Sequence, residues 1–529
     1  MPASRVSASH LAAGGAGHRL VGMSQPSTPA PQPPTLSIPL SDAKRWRAYW
    51  VCVAVAGLTI LDLTKVNVAL PSIEAAFGAT STELQLIVSG YVLTFGLTLV
   101  PAGRIGDQRS RRTLFVIGLS LFTLTSLACA LAPTGEVLLV ARLLQGVAAG
   151  IQMPQVLGLI QQLFQGAERG KAFGLFGATI GIATAFGPTL GGLAIAIGGP
   201  EDGWRGIFWM NVPLSLVAIA LALWLLPDTR LPSSRKLELD PVGLLLFGIT
   251  VIALMWPFLF TTGSPDDNPA RWWLLVVFVF AASAFVAWER HYAATGKHPL
   301  VPLSLFGVSS YRNGTVLASA YFAAAPSMFL LTTLYLQHGL GLAPVFAGMV
   351  SIGFALTSAV SSWIGGNLVN RLGRPLVVWG LAMVLVGIGL LVLAALYTPP
   401  DLTPWAMAGA MVIAGFGGGL VISPNQTLAL ADIPVKQGGL AGSVGQLGQR
   451  IGTAVGTAVA LSLFYATIYR ETGTDSTQDL AVYHDAYGFG MTAVALFLAI
   501  AFGVGLLDLG ARRRRHRSLS KDSVEVAPG

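Results

Sequence analysis

The chain has 529 residues, 53% of them hydrophobic and 11% charged, with a mean hydropathy of +0.67. A soluble globular domain carries about 25% charged residues, so this composition excludes one and calls for a large multi-span membrane protein. The formal net charge of +8 follows from loop topology and is not read as nucleic-acid binding. Cys52 and Cys129 both lie in apolar runs and make neither a disulfide framework nor a metal site.

The first 46 residues form an N-terminal tail. Over 1–43 it is rich in Pro, Ser, Ala and Gly and lacks a hydrophobic region followed by a cleavage site. It reads as a disordered cytoplasmic tail and not as a signal peptide. Met23 opens the more polar MSQPSTPAPQPP and is an alternative translation start. Fourteen apolar runs follow, each near the 20 residues that cross about 30 Å of hydrocarbon. They lie near 48–70, 84–103, 113–132, 137–164, 172–198, 206–227, 241–262, 271–290, 314–338, 345–368, 375–397, 404–430, 438–468 and 486–509. The fold expected is an all-α membrane protein of two six-helix bundles, 47–227 and 313–510. Two extra transmembrane helices with their linkers fill 228–312, and a basic tail covers 511–529.

Two charged turns repeat between the halves. GRIGDQRSRR at 103–112 returns in weakened form as GNLVNRLGRP at 366–375, each between two long apolar runs. Such a repeat indicates a pseudo-symmetric transporter. Of the 32 lysines and arginines, 26 fall in the N-terminal tail, the even-to-odd loops or the C-terminal tail. The positive-inside rule then puts both termini and the repeated turn in the cytoplasm. The run Arg512–Arg515 with Arg517 meets anionic headgroups or simply stops the last span. The acidic residues of the longest external loop, 470–485, carry no chemistry beyond solvation. No HExxH, GxSxG, Walker-type or CxxC pattern is present, which argues against an enzyme and against an ATP-driven pump encoded by this chain alone.

Ionisable groups inside the spans mark function by default. Span 1 carries LDLTKVNVALP at 61–71, with Asp62 about 18 Å from Trp50 along the helix axis, near mid-membrane. A carboxylate caught between desolvation and a neighbouring cation can bind and release protons; the alternative is a static ion pair with Lys65 or Arg142. Lys65 shares a helix face with Asp62. Span 4 carries ARLLQGVAAGIQMP at 141–154. There Arg142 remains charged, with snorkelling to an interface the alternative to a functional role, Gln145 follows one turn on, and Gly146 with Gly150 makes a face for close helix approach. Span 5 spaces Gly174, Ala183, Gly187, Pro188, Gly191 and Gly192. Trp204 and Trp209 of WRGIFWMNVP, 204–213, read as interfacial anchors. In the second half, SPNQ (423–426) and GQLGQR (445–450) place amides and an arginine within spans. Asn67, Gln145, Asn425, Gln426, Gln446, Gln449 and Arg450 are the candidate cavity residues, with interhelical hydrogen bonding the alternative for the amides.

Together these motifs resemble the major facilitator superfamily, in particular its fourteen-span drug:proton antiporters of the EmrB/QacA type, over roughly residues 46–510. The resemblance implies that Asp107 docks at the N-terminus of span 13, near Gly438, as part of a gate with Gly103, Arg111 and Arg112. It implies proton coupling through Asp62 and Arg142 and an antiporter motif in span 5. The chain departs from the family at Gln108 and Ser110, and at Lys65, where the family has an apolar residue. Lys65 neutralises Asp62, binds an anionic substrate or replaces part of the proton chemistry. The implied activity is proton-coupled export of amphipathic drug-like or secondary-metabolite molecules across a bacterial inner membrane, with no cofactor beyond the proton gradient and no metal. A symporter or a lipid or nutrient carrier on the same scaffold is the rival, and a non-transporting receptor the more distant one. Within the spans three cations, Lys65, Arg142 and Arg450, face one carboxylate, Asp62. That excess favours a neutral, zwitterionic or anionic substrate over a dication. Oligomeric state and any periplasmic adaptor are not legible in the sequence.

Overall fold

The computed structural model describes residues 41–227, 240–261, 267–473 and 479–525. The N-terminal tail through residue 40 with the Met23 start, most of the charged linker at 228–239, residues 474–478 with Asp475, and the side chains of the basic run from residue 512 onward lie outside this description. Fourteen helices among the described residues are long and apolar enough to cross a membrane. They are α1 (Asp42–Phe77), α2 (Glu83–Gln108), α3 (Arg111–Ala130), α4 (Gly135–Leu163), α5 (Gly166–Gly199), α6 (Asp202–Leu225) and α7 (Pro241–Leu259). Then follow α8 (Pro269–Ala294), α9 (Ser309–Gly339), α10 (Val345–Leu372), α11 (Arg374–Tyr397), α12 (Thr403–Ala429), α13 (Val435–Thr472) and α14 (Leu480–Ala511).

Several helices outrun their apolar windows, because propagation adds a hydrogen bond per residue once a turn exists. The ends are set by local chemistry. Thr80 and Glu83 form a reciprocal capping box at the start of α2, Ser110 and Thr134 cap α3 and α4, and Asp240 caps α7 ahead of Pro241. Gly199, at φ 82°, breaks the path between α5 and α6 in a conformation that side chains resist.

Hydrophobic burial concentrates in two large clusters. One gathers Tyr49, Cys52, Phe95, Leu119, Leu157 and Phe173; the other gathers Leu317, Met328, Leu381, Leu391, Phe464 and Tyr487. Matching hydrogen bonds recur in the two halves: Tyr49 donates to the Ala172 carbonyl at 2.7 Å, tying α1 to α5, and Tyr311 donates to the Ala441 carbonyl at 2.8 Å, tying α9 to α13. α2 and α4 meet α13, and α10 and α12 meet α5. α7 lies against both α2 and α13, while its partner α8 stays largely exposed.

The second half is pinned at one end by a buried charge. Arg374 Nε donates to Asp508 Oδ2 at 2.5 Å and Nη1 donates to Asn425 Oδ1 at 2.6 Å. Asn425 donates in turn to the Gly314 carbonyl at 2.8 Å, and Asn313 donates to Asp508 at 2.9 Å. Four helices, α9, α11, α12 and α14, meet there. Removing one partner of such a pair strands the other in hydrocarbon, at about 3–5 kcal/mol. Asp508→Ala is therefore expected to lower the thermal unfolding midpoint in detergent sharply, and the double change Arg374→Met with Asp508→Leu to recover most of the loss. An Asp508→Ala protein that melts with wild type contradicts the assignment.

Candidate functional site

Asp62 sits inside α1 with no exposed surface, and so do Lys65, Arg142, Gln145, Asn211 and Ser126. Arg142 Nη1 donates to Asp62 Oδ2 at 2.9 Å, and Asn211 Nδ2 donates to Asp62 Oδ1 at 2.6 Å. Lys65 Nζ stands 3.8 Å from the same Oδ1 and donates to Asn211 Oδ1 at 2.5 Å. Arg142 also donates to Gln145 Oε1 at 2.7 Å, and Gln145 donates to Ser126 Oγ at 2.8 Å. Both carboxylate oxygens are thus occupied, by residues of α1, α4 and α6, with α3 supplying Ser126. The guanidinium of Arg142 lies 4.2 Å from the Tyr91 ring centroid and 5.7 Å from that of Phe208. Its Nη2 is buried without a hydrogen-bond partner.

Glycines let the helices come close enough to build this cluster. A Cβ on Gly187 would lie 2.7 Å from Thr64 Cβ, and one on Gly191 would lie 2.8 Å from the Lys65 carbonyl oxygen, so α5 is seated on α1 beside Asp62. A Cβ on Gly150 would lie 2.8 Å from the Phe95 carbonyl oxygen, and Gly146 faces Tyr91 in the same way. These contacts press α4 onto α2. Gly192 faces no atom within 4 Å, so among the span 5 glycines it makes no close helix contact. Pro188 lies exposed within the helix.

A second polar cluster joins the halves. Asp107 Oδ1 accepts from the Gly439 amide at 3.1 Å and Oδ2 from the Leu440 amide at 2.8 Å. The carboxylate thereby fills the N-terminus of α13, where free amides and the dipole favour a negative charge. Arg111 Nη2 donates to Asp107 at 2.6 Å and to the Val435 carbonyl at 3.0 Å, and Nη1 donates to the Gly158 carbonyl. Gly103 allows the crossing, since a Cβ there would lie 3.0 Å from the Gly439 carbonyl oxygen. Arg112 stands apart from this latch and donates to the Leu223 carbonyl at the end of α6. The repeat-related Asn370 makes a neutral bond in place of the ionic ones, 3.3 Å to the Ala167 carbonyl at the start of α5.

The gap between α5 and α10 widens away from this end. A Cβ on Gly170 would lie 2.7 Å from the Gly366 carbonyl oxygen, on Gly174 2.9 Å from the Ser362 carbonyl oxygen, and on Gly177 3.1 Å from Ser362 Oγ. At Gly181 the nearest atoms are 3.8 Å away. The halves are therefore closed at the latch end and part toward the other.

The candidate cavity residues separate into three groups. Asn425 is not free to line a cavity, because its amide is spent on Arg374 and Gly314. Gln145 likewise belongs to the Asp62 cluster. Asn67 is exposed on α1 and Gln426 is half-buried on α12. Gln446, Gln449 and Arg450 remain on α13, with the Arg450 guanidinium 4.9 Å from the Phe95 ring centroid. Asn211 and Ser126 were missed by sequence reasoning. Asn211 stood within WRGIFWMNVP as a polar residue opening an apolar run, the one signal that pointed to it. Among the described residues, no group of three or more His, Cys, Asp or Glu side chains is placed to hold a metal ion.

Comparison with known proteins adds a family. Residues 52–457 match the model of the Major Facilitator Superfamily. The probable actinorhodin transporter of Streptomyces coelicolor is 33% identical over 420 residues, covering 78% of this chain and 72% of the relative. The puromycin resistance protein pur8 of Streptomyces alboniger is 32% identical over 480 residues, covering 89% of this chain and 90% of that one. Among solved structures, the human organic anion transporter MFSD10 (TETRAN) superposes with a TM-score of 0.60 at 15% identity, over 90% of this chain and all of that one. That last likeness speaks to the fold alone.

The latch makes a direct prediction. Cys52 and Cys129 are buried, so a cysteine placed at buried Ser443 reports opening between α2 and α13. Hydrogen bonds to a charged group contribute about 1.5–3 kcal/mol each. Adding Asp107→Ala is expected to speed labelling of Ser443→Cys by a membrane-impermeant maleimide at least tenfold. An unchanged rate would show that Asp107 does not hold the seam.

Proposed function

The chain belongs to the major facilitator superfamily, and we propose that it exports amphipathic small molecules across a bacterial inner membrane in exchange for protons. The observation that carries this reading is the Asp62 cluster: a carboxylate sealed at mid-helix between Arg142, Asn211 and Lys65, with a latch closing one end of the same helical array. The drug- and antibiotic-directed names of the relatives support the export of such compounds.

With the basic loops in the cytoplasm, the latched end is the cytoplasmic one, and the arrangement corresponds to a carrier open toward the outside. A proton entering from outside neutralises Asp62. Arg142 stays charged and cannot carry the proton itself. It loses its counter-ion, as does Lys65, and two like charges are left where an ion cluster stood. That cost is relieved when α1, α4 and α6 shift and the latch at Asp107 gives way. Release of the proton to the cytoplasm restores the ion pair and resets the cycle. Lys65 acts in this reading as a second counter-charge that favours prompt deprotonation.

The test is proton flux in proteoliposomes under an imposed inward proton gradient, wild type against Asp62→Asn, with a panel of amphipathic compounds differing in charge. Antiport predicts compound-dependent proton movement opposite to the compound, falling at least tenfold in the mutant. Movement in the same direction would make the protein a symporter. Uphill export that survives Asp62→Asn would remove Asp62 from the coupling role.

A further inference from the structure

We infer that Arg450 is the receptor for the negatively charged group of the substrate, and that the substrate class is amphipathic aromatic acids. The inference deepens the export reading and rests on it for calling the ligand a substrate. The binding site itself is argued from three observations.

The first is charge without a partner. Lys65 and Arg142 share Asp62, but the side chain of Arg450 makes no ion pair and no hydrogen bond among the described residues, and its Nε is sealed from solvent unpaired. Its one stabilising contact is the Phe95 ring at 4.9 Å. A cation–π contact contributes about 0.5–2 kcal/mol. Arg450 is only partly buried: its Nε is sealed, while its two Nη atoms stay open to the seam. Among the described residues it is thus a cation without a counter-charge that an anion entering the seam can reach.

The second is convergence. Gln446 lies one turn from Arg450 on the same face of α13, where its amide Nε2 can donate to an anion and its Oε1, buried without a partner, can accept from a ligand hydroxyl or amide. Across the seam on α2, the hydroxyl of Tyr91 is also buried without a partner. Tyr91 and Phe95 present rings 6.0 Å apart in an edge-on arrangement. A planar guanidinium, a phenol hydroxyl, an amide and an aromatic wall suit a carboxylate or sulfonate on a ring system.

The third is position. Leu447 closes on Gly96, where a Cβ would lie 3.4 Å from it, and Arg450 follows just beyond this contact on the side where the halves part. Gly452 and Gly456 seat the opposite face of α13 on Ala323 and its neighbours in α9, so the Arg450 face is left for the seam. A cationic substrate finds no counterpart here. Asp62 is saturated, and the other buried carboxylates, Asp107, Asp240, Glu289 and Asp508, sit at the latch end of the helices.

The experiment compares labelled 2-naphthoate with its neutral isostere 2-naphthamide, bound to purified protein in nanodiscs, with protein-free discs as background. Wild type is expected to bind the acid at least tenfold more tightly than the amide. Arg450→Gln should abolish that difference and Arg450→Lys retain part of it. Asp62→Asn should keep the preference while losing proton coupling, which separates this site from the antiport reading. The proposal fails if wild type shows no preference for the acid, a result independent of any variant's folding. It also fails if a monodisperse Arg450→Gln protein binds 2-naphthoate as wild type does, or if Asp62→Asn alone removes the preference.

Discussion

Burying an ionised carboxylate in hydrocarbon is affordable only when every oxygen is occupied, and this constraint at Asp62 organises the first half of the molecule. Arg142 from α4 and Asn211 from α6 must both reach it, and Ser126 from α3 must hold Gln145 and Asn211 in turn. That requires α1, α3, α4 and α6 to meet around one point, and α5 to lie flat on α1 through Gly187 and Gly191. The cluster gathers two basic side chains, Lys65 and Arg142, around one carboxylate.

The second half solves the same problem with a different outcome. Arg374, offset from Arg111 by the repeat, pairs with Asp508 within its own half and ties four helices together. Arg111 instead braces Asp107, whose bonds reach across the seam to α13. One half therefore holds a fixed pin and the other a latch. The two bonds from Asp107 to the α13 amides, at about 1.5–3 kcal/mol each, would suffice in the proposed cycle to favour one state without locking it.

Much of the architecture was legible in the sequence because membrane burial writes itself as uninterrupted apolar runs: all fourteen spans can be counted that way. Asp62, Lys65 and Arg142 announced themselves as charges in hydrocarbon. Asn211 and Ser126 did not, since uncharged polar residues are common in spans and nothing in spacing links residues 62 and 211. The meeting of Asp107 with the start of α13 was reachable only by family resemblance, as the two lie in different halves of the chain. For Asn425 the sequence left a cavity role and interhelical hydrogen bonding both open, and the structure shows the second. Its partners are Arg374 and the Gly314 carbonyl, and Arg374 in turn pairs with Asp508; nothing in sequence spacing shows that these residues converge.

Arg142, Tyr91, Phe95 and Arg450 form a continuous series of cation and ring contacts from the Asp62 cluster to the seam. An anion at Arg450 and a proton on Asp62 attract each other directly, and by linkage each strengthens the other equally. Exchange in opposite directions needs the reverse preference overall. At an effective dielectric near 20, the interaction of two unit charges has already fallen to ~2 kcal/mol by about 8 Å. A switch that carries a two-state equilibrium from 1:99 to 99:1 needs about 5.5 kcal/mol. In the proposed cycle, a change at the latch on that scale would override the direct attraction. The membrane potential adds about 2.3 kcal/mol per charge for each 100 mV. With the inside negative it drives the proton inward and the anion outward, so both charge movements favour export.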